Sequence, residues 1–290
     1  MRIAVEGCGH GALEEIYEAM AETERRNDFK FDLLLVCGDF QAVRNQQDLN
    51  CMAVPQKYRT MNSFHKYYSG QLIAPILTIF IGGNHEASNH LWELYHGGWV
   101  APNIFFLGYS GAITVGGVRI AGLSGIYKSM HYRQGHWEHP PYDQSSMRSA
   151  YHVREYEVWK LGMMTGHVDI FLSHDWPRGI TRHGDEKRLL RTKRFLEEEV
   201  RNNVLGNPYT TPLIDKLKPS YWFAAHLHTK FAAVYEHKDT DKCTKFLSLD
   251  KCLPNRDFLQ AIHIETAESA AGEDLSSSLR YDPEWLAIMR

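Results

Sequence analysis

The chain has 290 residues, of which 43% are hydrophobic and 23% charged, enough for one large domain, or a domain with an appendage, around a sizeable core. It contains no apolar run of about 18 residues, so no membrane-spanning helix is expected. A formal net charge of −3 argues against non-specific nucleic-acid binding through a broad basic field, and five cysteines without paired spacings argue for a reducing compartment over a disulfide framework.

From the N-terminus, Arg2–Val5 reads as a short strand closing at Gly7, with no leader before it. Ala12–Arg26 places Leu13, Ile16, Tyr17 and Met20 on one face, the spacing of an amphipathic helix. Asp32–Cys37 is an apolar run of strand length closed by Gly38-Asp39. Pro55–Tyr68 is expected to form a helix ended by Ser69-Gly70, and Pro75–Ile81 a buried strand closed by Gly82-Gly83. Short strands fill Ile104–Leu123, with Gly116-Gly117 as a hairpin turn between Val115 and Val118. Ser124–His152 is loop-like and interleaves bases with aromatics, among them Lys128, His131, Tyr132, Arg133, Trp137 and His152. Val168–Leu172 and Tyr221–Ala225 are two more buried strands. Between them Asp185–Asn203 reads as one helix, basic in its first half and carrying Glu197–Glu199 later. Past His237 the chain turns polar, regains strand pattern at Phe246–Leu249 and Phe258–Ile264, passes a linker at Ala267–Ser278 and ends in an amphipathic piece, Trp285–Met289. Alternating strands and helices followed by a strand-rich half predict an α/β fold of two mixed β-sheets packed face to face with flanking helices.

The chemistry sits in five short segments: Cys8-Gly9-His10, Gly38-Asp39, Gly82-Gly83-Asn84-His85-Glu86, Ser173-His174-Asp175 and His226-Leu227-His228. At least four close a buried strand, where loops of an α/β sheet converge on a ligand. Singly each has a duller reading, since Gly-Asp after a strand is more often a turn or a cap. His226 and His228 share one side of an extended segment, and Cys8 and His10 follow the same spacing. Together the segments offer a thiolate, several imidazoles, a carboxylate and an amide oxygen, enough for two divalent metals and hence for attack on a phosphodiester.

The assembled pattern resembles the calcineurin-like metallophosphoesterases, whose αββα sandwich it implies. Cys8 stands where most of that superfamily has Asp, and the branch that looks like this is the RNA lariat debranching enzymes. Leu172-Ser173-His174-Asp175-Trp176-Pro177, Leu249-Asp250-Lys251-Cys252-Leu253-Pro254 and Tyr281-Asp282-Pro283-Glu284-Trp285-Leu286 also read as that family. The resemblance implies hydrolysis of the 2′–5′ phosphodiester at the branch of excised intron lariat RNA by a metal-activated hydroxide, a step of intron turnover in mRNA processing. It implies two divalent metals, Fe²⁺ and/or Zn²⁺ with Mn²⁺ able to substitute. Cys8, His10, Asp39 and His228 would hold one; Asp39, Asn84, His174 and His226 would hold the other; His85 would donate a proton. Residues 1–237 would be the catalytic domain with a lariat-recognition insertion at about 124–152, supplying Lys128, Tyr132, Arg133 and His152 to substrate. Residues 238–290 would be a C-terminal extension packing on it. A monomer binding branched RNA in the nucleus, and also the cytoplasm, is expected, with no membrane partner. Gly9 departs from the family's usual Cys-Cys-His, but strand alternation turns it away from the metals. The alternatives are a metallophosphoesterase acting on a phosphoprotein or nucleotide, or a scaffold without metals, and the latter requires missing ligands.

Overall fold

The computed structural model describes residues 1–238, 240–265 and 278–290. The strands are β1 (Arg2–Glu6), β2 (Leu33–Val36), β3 (Thr78–Phe80), β4 (Gly98–Ala101), β5 (Ile104–Phe106), β6 (Ser110–Val115), β7 (Val118–Leu123), β8 (Ile170–Ser173), β9 (Tyr221–Ala224), β10 (Phe231–Glu236), β11 (Cys243–Ser248), β12 (Leu259–His263) and β13 (Leu279–Tyr281). They form two mixed sheets, one ordered β12-β1-β2-β3-β5-β4 and the other β10-β11-β9-β8-β7-β6-β13. The centres of both are parallel: β1, β2, β3 and β5 in the first, β7, β8, β9 and β11 in the second.

Side-chain alternation explains why the central strands are apolar throughout. Ile3, Val5, Leu33 and Leu35 point between the sheets to meet Ile113, Ile120, Leu172 and Phe223. Ala4, Leu34 and Val36 point outward, under Leu13, Ile16, Tyr17 and Met20 of the helix Leu13–Asn27. That helix ends where Asp28 turns left-handed (φ 51°) and its N–H bonds the Glu24 carbonyl. The outer face of the second sheet, with Ala121, Phe171 and Trp222, is covered by Val158 and Leu161 of the helix Glu155–Met163 and by Leu213, Ile214 and Leu217 of the helix Thr210–Leu217. Parallel strands buried on both faces need such helical cover.

The structure differs from expectation in three helical stretches. Pro55–Tyr68 is a 3₁₀ turn (Gln56–Tyr58) and a separate helix (Phe64–Tyr68), with left-handed Asn62 (φ 47°) between them. Asp185–Asn203 breaks at Lys193 (φ −125°, ψ 59°), so Glu197–Glu199 begin a second short helix where the macrodipole favours acids. The insertion holds two helices, Ser129–Tyr132 and Gln144–Ser149, the second started by an Asp143–Ser146 capping box. The expected linker at Ala267–Ser278 lies, apart from Ser278, outside the described residues.

The last fifty residues are woven into both layers. β11 lies inside the second sheet between β10 and β9, β13 pairs with β6, and β12 pairs with β1 in the first sheet. The expected boundary near residue 237 therefore falls between two paired strands.

Candidate metal centre

Every expected ligand follows the carboxyl end of a central strand: His10 after β1, Asp39 after β2, Asn84 after β3, His174 after β8, and His226 and His228 after β9. The turns that present them are strained. His10, Asp39, His226 and His228 all have left-handed backbones, with φ of 44°, 49°, 62° and 47°. Such conformations cost about 1–3 kcal/mol each and persist only where the surroundings over-determine them. Two glycines leave the necessary room. At Gly83 a Cβ would run into Asp39 Oδ1 and lie 2.5 Å from the Asp39 amide nitrogen. At Gly38 (φ 112°) it would strike the His174 ring.

One donor atom each from Cys8, His10, Asp39 and His228 lies within 4.8 Å of all the others. His10 Nε2 and His228 Nε2 are 3.1 Å apart, and Asp39 Oδ2 is 3.7 Å from His10 Nε2. Two imidazole nitrogens on one tetrahedral ion would be about 3.4 Å apart, from bond lengths of about 2.1 Å. The other Asp39 oxygen, Oδ1, faces a different group: it is 3.4 Å from His174 Nε2, which is 3.3 Å from Asn84 Oδ1. The His226 ring stands 5.1 Å from that of His174. The second donor set is looser than the first, and Asp39 joins the two. Thiolate, imidazole and carboxylate together fit borderline-soft divalent ions such as Zn²⁺ or Fe²⁺.

The electrostatics match a site built around positive charge. Burial pushes the Cys8 thiol up, and the Asp39 carboxylate beside it pushes further. Burial lowers His10 to about 4 and His228 to about 3, so both rings are neutral ligands at pH 7. Asp39 is held well below the usual carboxylate range: burial opposes this, but the His174, His85 and His10 rings outweigh it. His174 moves up because Asp39 outweighs its own burial. Its Nδ1 lies 2.7 Å from the Cys37 carbonyl, which fixes the ring with Nε2 toward the site.

Glu86 braces the ligand loops. It accepts the N–H groups of Phe40 (2.8 Å) and Gly83 (3.0 Å) on one oxygen and that of Gln41 (2.8 Å) on the other. Burial, with Asp39 nearby, raises it to about 7. His85 is half-buried, its ring centroid 5.3 Å from that of His10 and its N–H bonded to Asp39 Oδ1 at 2.8 Å. Gln41, whose Nε2 is 3.4 Å from His10 Nδ1, and Asn62, which bonds Gln41 Oε1, extend this bracing and carried no motif of their own.

The insertion is anchored beside the Asn84–His174 group. Gly125 N–H bonds the Gly82 carbonyl (2.8 Å), and Tyr127 N–H bonds Asp175 Oδ2 (2.9 Å). Of the four residues expected to touch substrate, Lys128 and Arg133 are exposed. Two are not available for that role. Tyr132 is only 3% exposed and stacks on Tyr209 with centroids 3.7 Å apart. His152 is buried with its Nδ1 2.7 Å from that of His131. Both side chains instead fasten the insertion to the second sheet's helical layer and to itself.

Residues 1–230 match the family model for calcineurin-like phosphoesterases, and residues 241–290 match that for the lariat debranching enzyme, C-terminal domain. Over its whole length the chain is 59% identical to the lariat debranching enzyme of Homo sapiens and 56% identical to those of Danio rerio and Arabidopsis thaliana. It covers 53%, 51% and 68% of those proteins, so it spans about half the length of the vertebrate relatives. From these matches, the chain belongs to the lariat debranching enzymes, within the calcineurin-like phosphoesterases.

Proposed function

We propose that this chain hydrolyses the 2′–5′ phosphodiester at the branch of lariat RNA. The observation that carries the reading is Asp39, whose two oxygens face two separate donor sets, one with Cys8, His10 and His228 and the other with Asn84, His174 and His226. A carboxylate so placed is a bridge between two cations. When bound, the ions supply Lewis acidity to the phosphoryl group and lower the pKa of a water. Cys8 biases its set toward Fe²⁺ or Zn²⁺, with Mn²⁺ an acceptable substitute. His85 stands beside the bridging carboxylate without belonging to either set, where it can hand a proton to the departing ribose 2′ oxygen. A 2′–5′ linkage differs from a 3′–5′ one in geometry, so selectivity rests on shape and single-strand contacts. Lys128 and Arg133 on the insertion are placed to meet phosphates near the Asn84–His174 group. Excised introns are a nuclear substrate, so we extend the proposal to a nuclear location.

Incubation with purified branched RNA beside a linear 3′–5′ control, with product ends mapped, tests the reading. Release of a free 2′ hydroxyl at the branch with the linear strand intact is expected. Equal cleavage of both RNAs, or activity confined to phosphopeptides or nucleotides, would overturn it.

A further inference from the structure

The segment 250–256 carries a cationic rim on the side of the metal centre away from the insertion. Lys251 is a parallel bridge partner of Cys8, held by the Cys8 N–H on the Asp250 carbonyl and the Cys252 N–H on the Cys8 carbonyl, both at 3.3 Å. Its charge reaches His10 and His228. Lys193, at the break between the two short helices, lies within electrostatic reach of Asp250, Lys251 and Arg256. The carboxylates here are already engaged: Asp250 with Arg256 at 3.3 Å and Asp257 with Lys230 at 3.7 Å. Among the described residues Lys193 and Lys251 form no ion pair, so the rim keeps a net positive charge. Next to Lys193, Phe195 is 73% exposed, with the Lys193 ammonium 6.0 Å from its ring centroid. A break in an otherwise helical stretch thus brings a base and an open aromatic ring toward the edge of the metal centre.

A 2′–5′ branch joins three strands at one ribose. The insertion is tied to Gly82 and Asp175, flanking the Asn84–His174 donors, and Lys251 is tied to Cys8 of the other set. One surface cannot hold strands that leave a nucleotide in different directions. We propose that Lys251, Lys193 and Phe195 form a second single-stranded RNA contact, which holds one arm of the branch on the Cys8 side. The lysines meet backbone phosphates and Phe195 stacks on an unpaired base. The proposal rests on the lariat-debranching reading and adds the path of one arm to it.

The test uses a three-armed branched RNA and three RNAs each lacking one arm, with KM and kcat measured from low to moderate salt. Each phosphate contact on a single strand contributes about 0.7 to the slope of log affinity against log salt. Lys193→Ala/Lys251→Ala is expected to lower that slope by about 1.4 on the three-armed RNA. Phe195→Ala is expected to raise KM about tenfold, from the loss of one base stack. These losses fall in KM rather than kcat. One trimmed RNA should show the same reduced slope with the unsubstituted protein, and the lysine variant should add nothing on that RNA. Lys193→Arg/Lys251→Arg, which keeps the charge, should restore the slope and separates lost contacts from lost folding. An unchanged slope in the alanine variant, or an equal KM rise on all four RNAs, overturns the proposal. Failure of the unsubstituted protein to cleave any branched RNA overturns the underlying reading instead.

Discussion

Replacing Gly83 by alanine introduces one methyl group at the point where the two halves of the site meet. Its carbon would overlap Asp39 Oδ1, lie 2.5 Å from the Asp39 amide nitrogen and 2.8 Å from His174 Cε1. Carbon contacts settle near 3.5–4.0 Å, so these atoms must separate by about 1 Å. Two of the three belong to a buried backbone and a buried ring, which leaves the Asp39 carboxylate as the group that yields. Overpacking of this kind costs about 1–3 kcal/mol, a fall in Tm of roughly 2–10 °C for a domain of this size. The larger effect is on function, because a displacement of about 1 Å in a positioning group typically costs 100-fold in rate. We expect Gly83→Ala to purify folded, to bind fewer than two metals per chain and to cleave branched RNA at least about 100-fold more slowly. Gly9→Ala is the matched control. A Cβ at Gly9 meets only Asp39 O, Phe40 Cα and Val36 Cγ1, all at 3.6 Å, and its φ is not left-handed. It should raise stability by about 0.4–1 kcal/mol. Thermal melts, elemental analysis and single-turnover cleavage measure all three quantities. A Gly83→Ala protein with full metal content and a rate within threefold of the parent would refute the steric argument and the bridging role of Asp39 with it.

His85→Ala should retain both metals and lose about 10²–10⁴-fold in cleavage of branched RNA, with a much smaller loss on an aryl phosphodiester whose leaving group needs no proton. Equal losses on both substrates would rule out proton donation. Cys8→Asp should shift metal preference from Zn²⁺ or Fe²⁺ toward Mn²⁺ or Mg²⁺, read by elemental analysis of anaerobically purified protein; an unchanged preference would show that Cys8 is not a ligand. Metal-free protein should lose stability as pH falls. His10 and His228 take up protons near 6.5 when unfolded but only at about 4 and about 3 when folded, so their contribution is present above 6.5 and lost as pH drops from there toward 3. Glu86, raised to about 7, acts in the opposite sense between 4.5 and 7, but the two imidazoles together outweigh it. Denaturant midpoints that rise on acidification over this range would contradict the assignment of both rings as neutral.

The site was legible because its residues are chemically scarce and each closes an apolar run. A cysteine, an aspartate and histidines at strand ends reveal themselves to a reader who knows only that parallel strands deliver their carboxyl ends to one place. The two-sheet architecture followed from the same runs. What stayed hidden depends on partners remote in sequence. Tyr132 has the composition of a nucleotide-stacking residue, and only Tyr209, brought in by packing, turns it into part of the core. The stretch 185–203 has helical periodicity throughout, yet it breaks at Lys193 where burial of Leu189 and Leu196 sets a different path. Gln41, Asn62 and Lys251 carry no motif, and their positions beside His10 and Cys8 come from loops folding over one another.

The pairing of β12 with β1 has a consequence for the order of events during synthesis. Arg2 lies opposite His263, and the Met1 ammonium bonds the Ile264 carbonyl at 2.7 Å. The first strand off the ribosome therefore waits for almost the last before its outer edge is closed. Cys8 waits with it, because its backbone is pinned from both sides by Asp250 and Cys252. Until then the nascent chain holds an unfastened thiol and an open strand edge, both hazards for a partly made protein. Loading of the Cys8 ion is accordingly a late event, and a chain stopped near residue 240 should carry the histidines of the site while lacking the frame that aims its thiol.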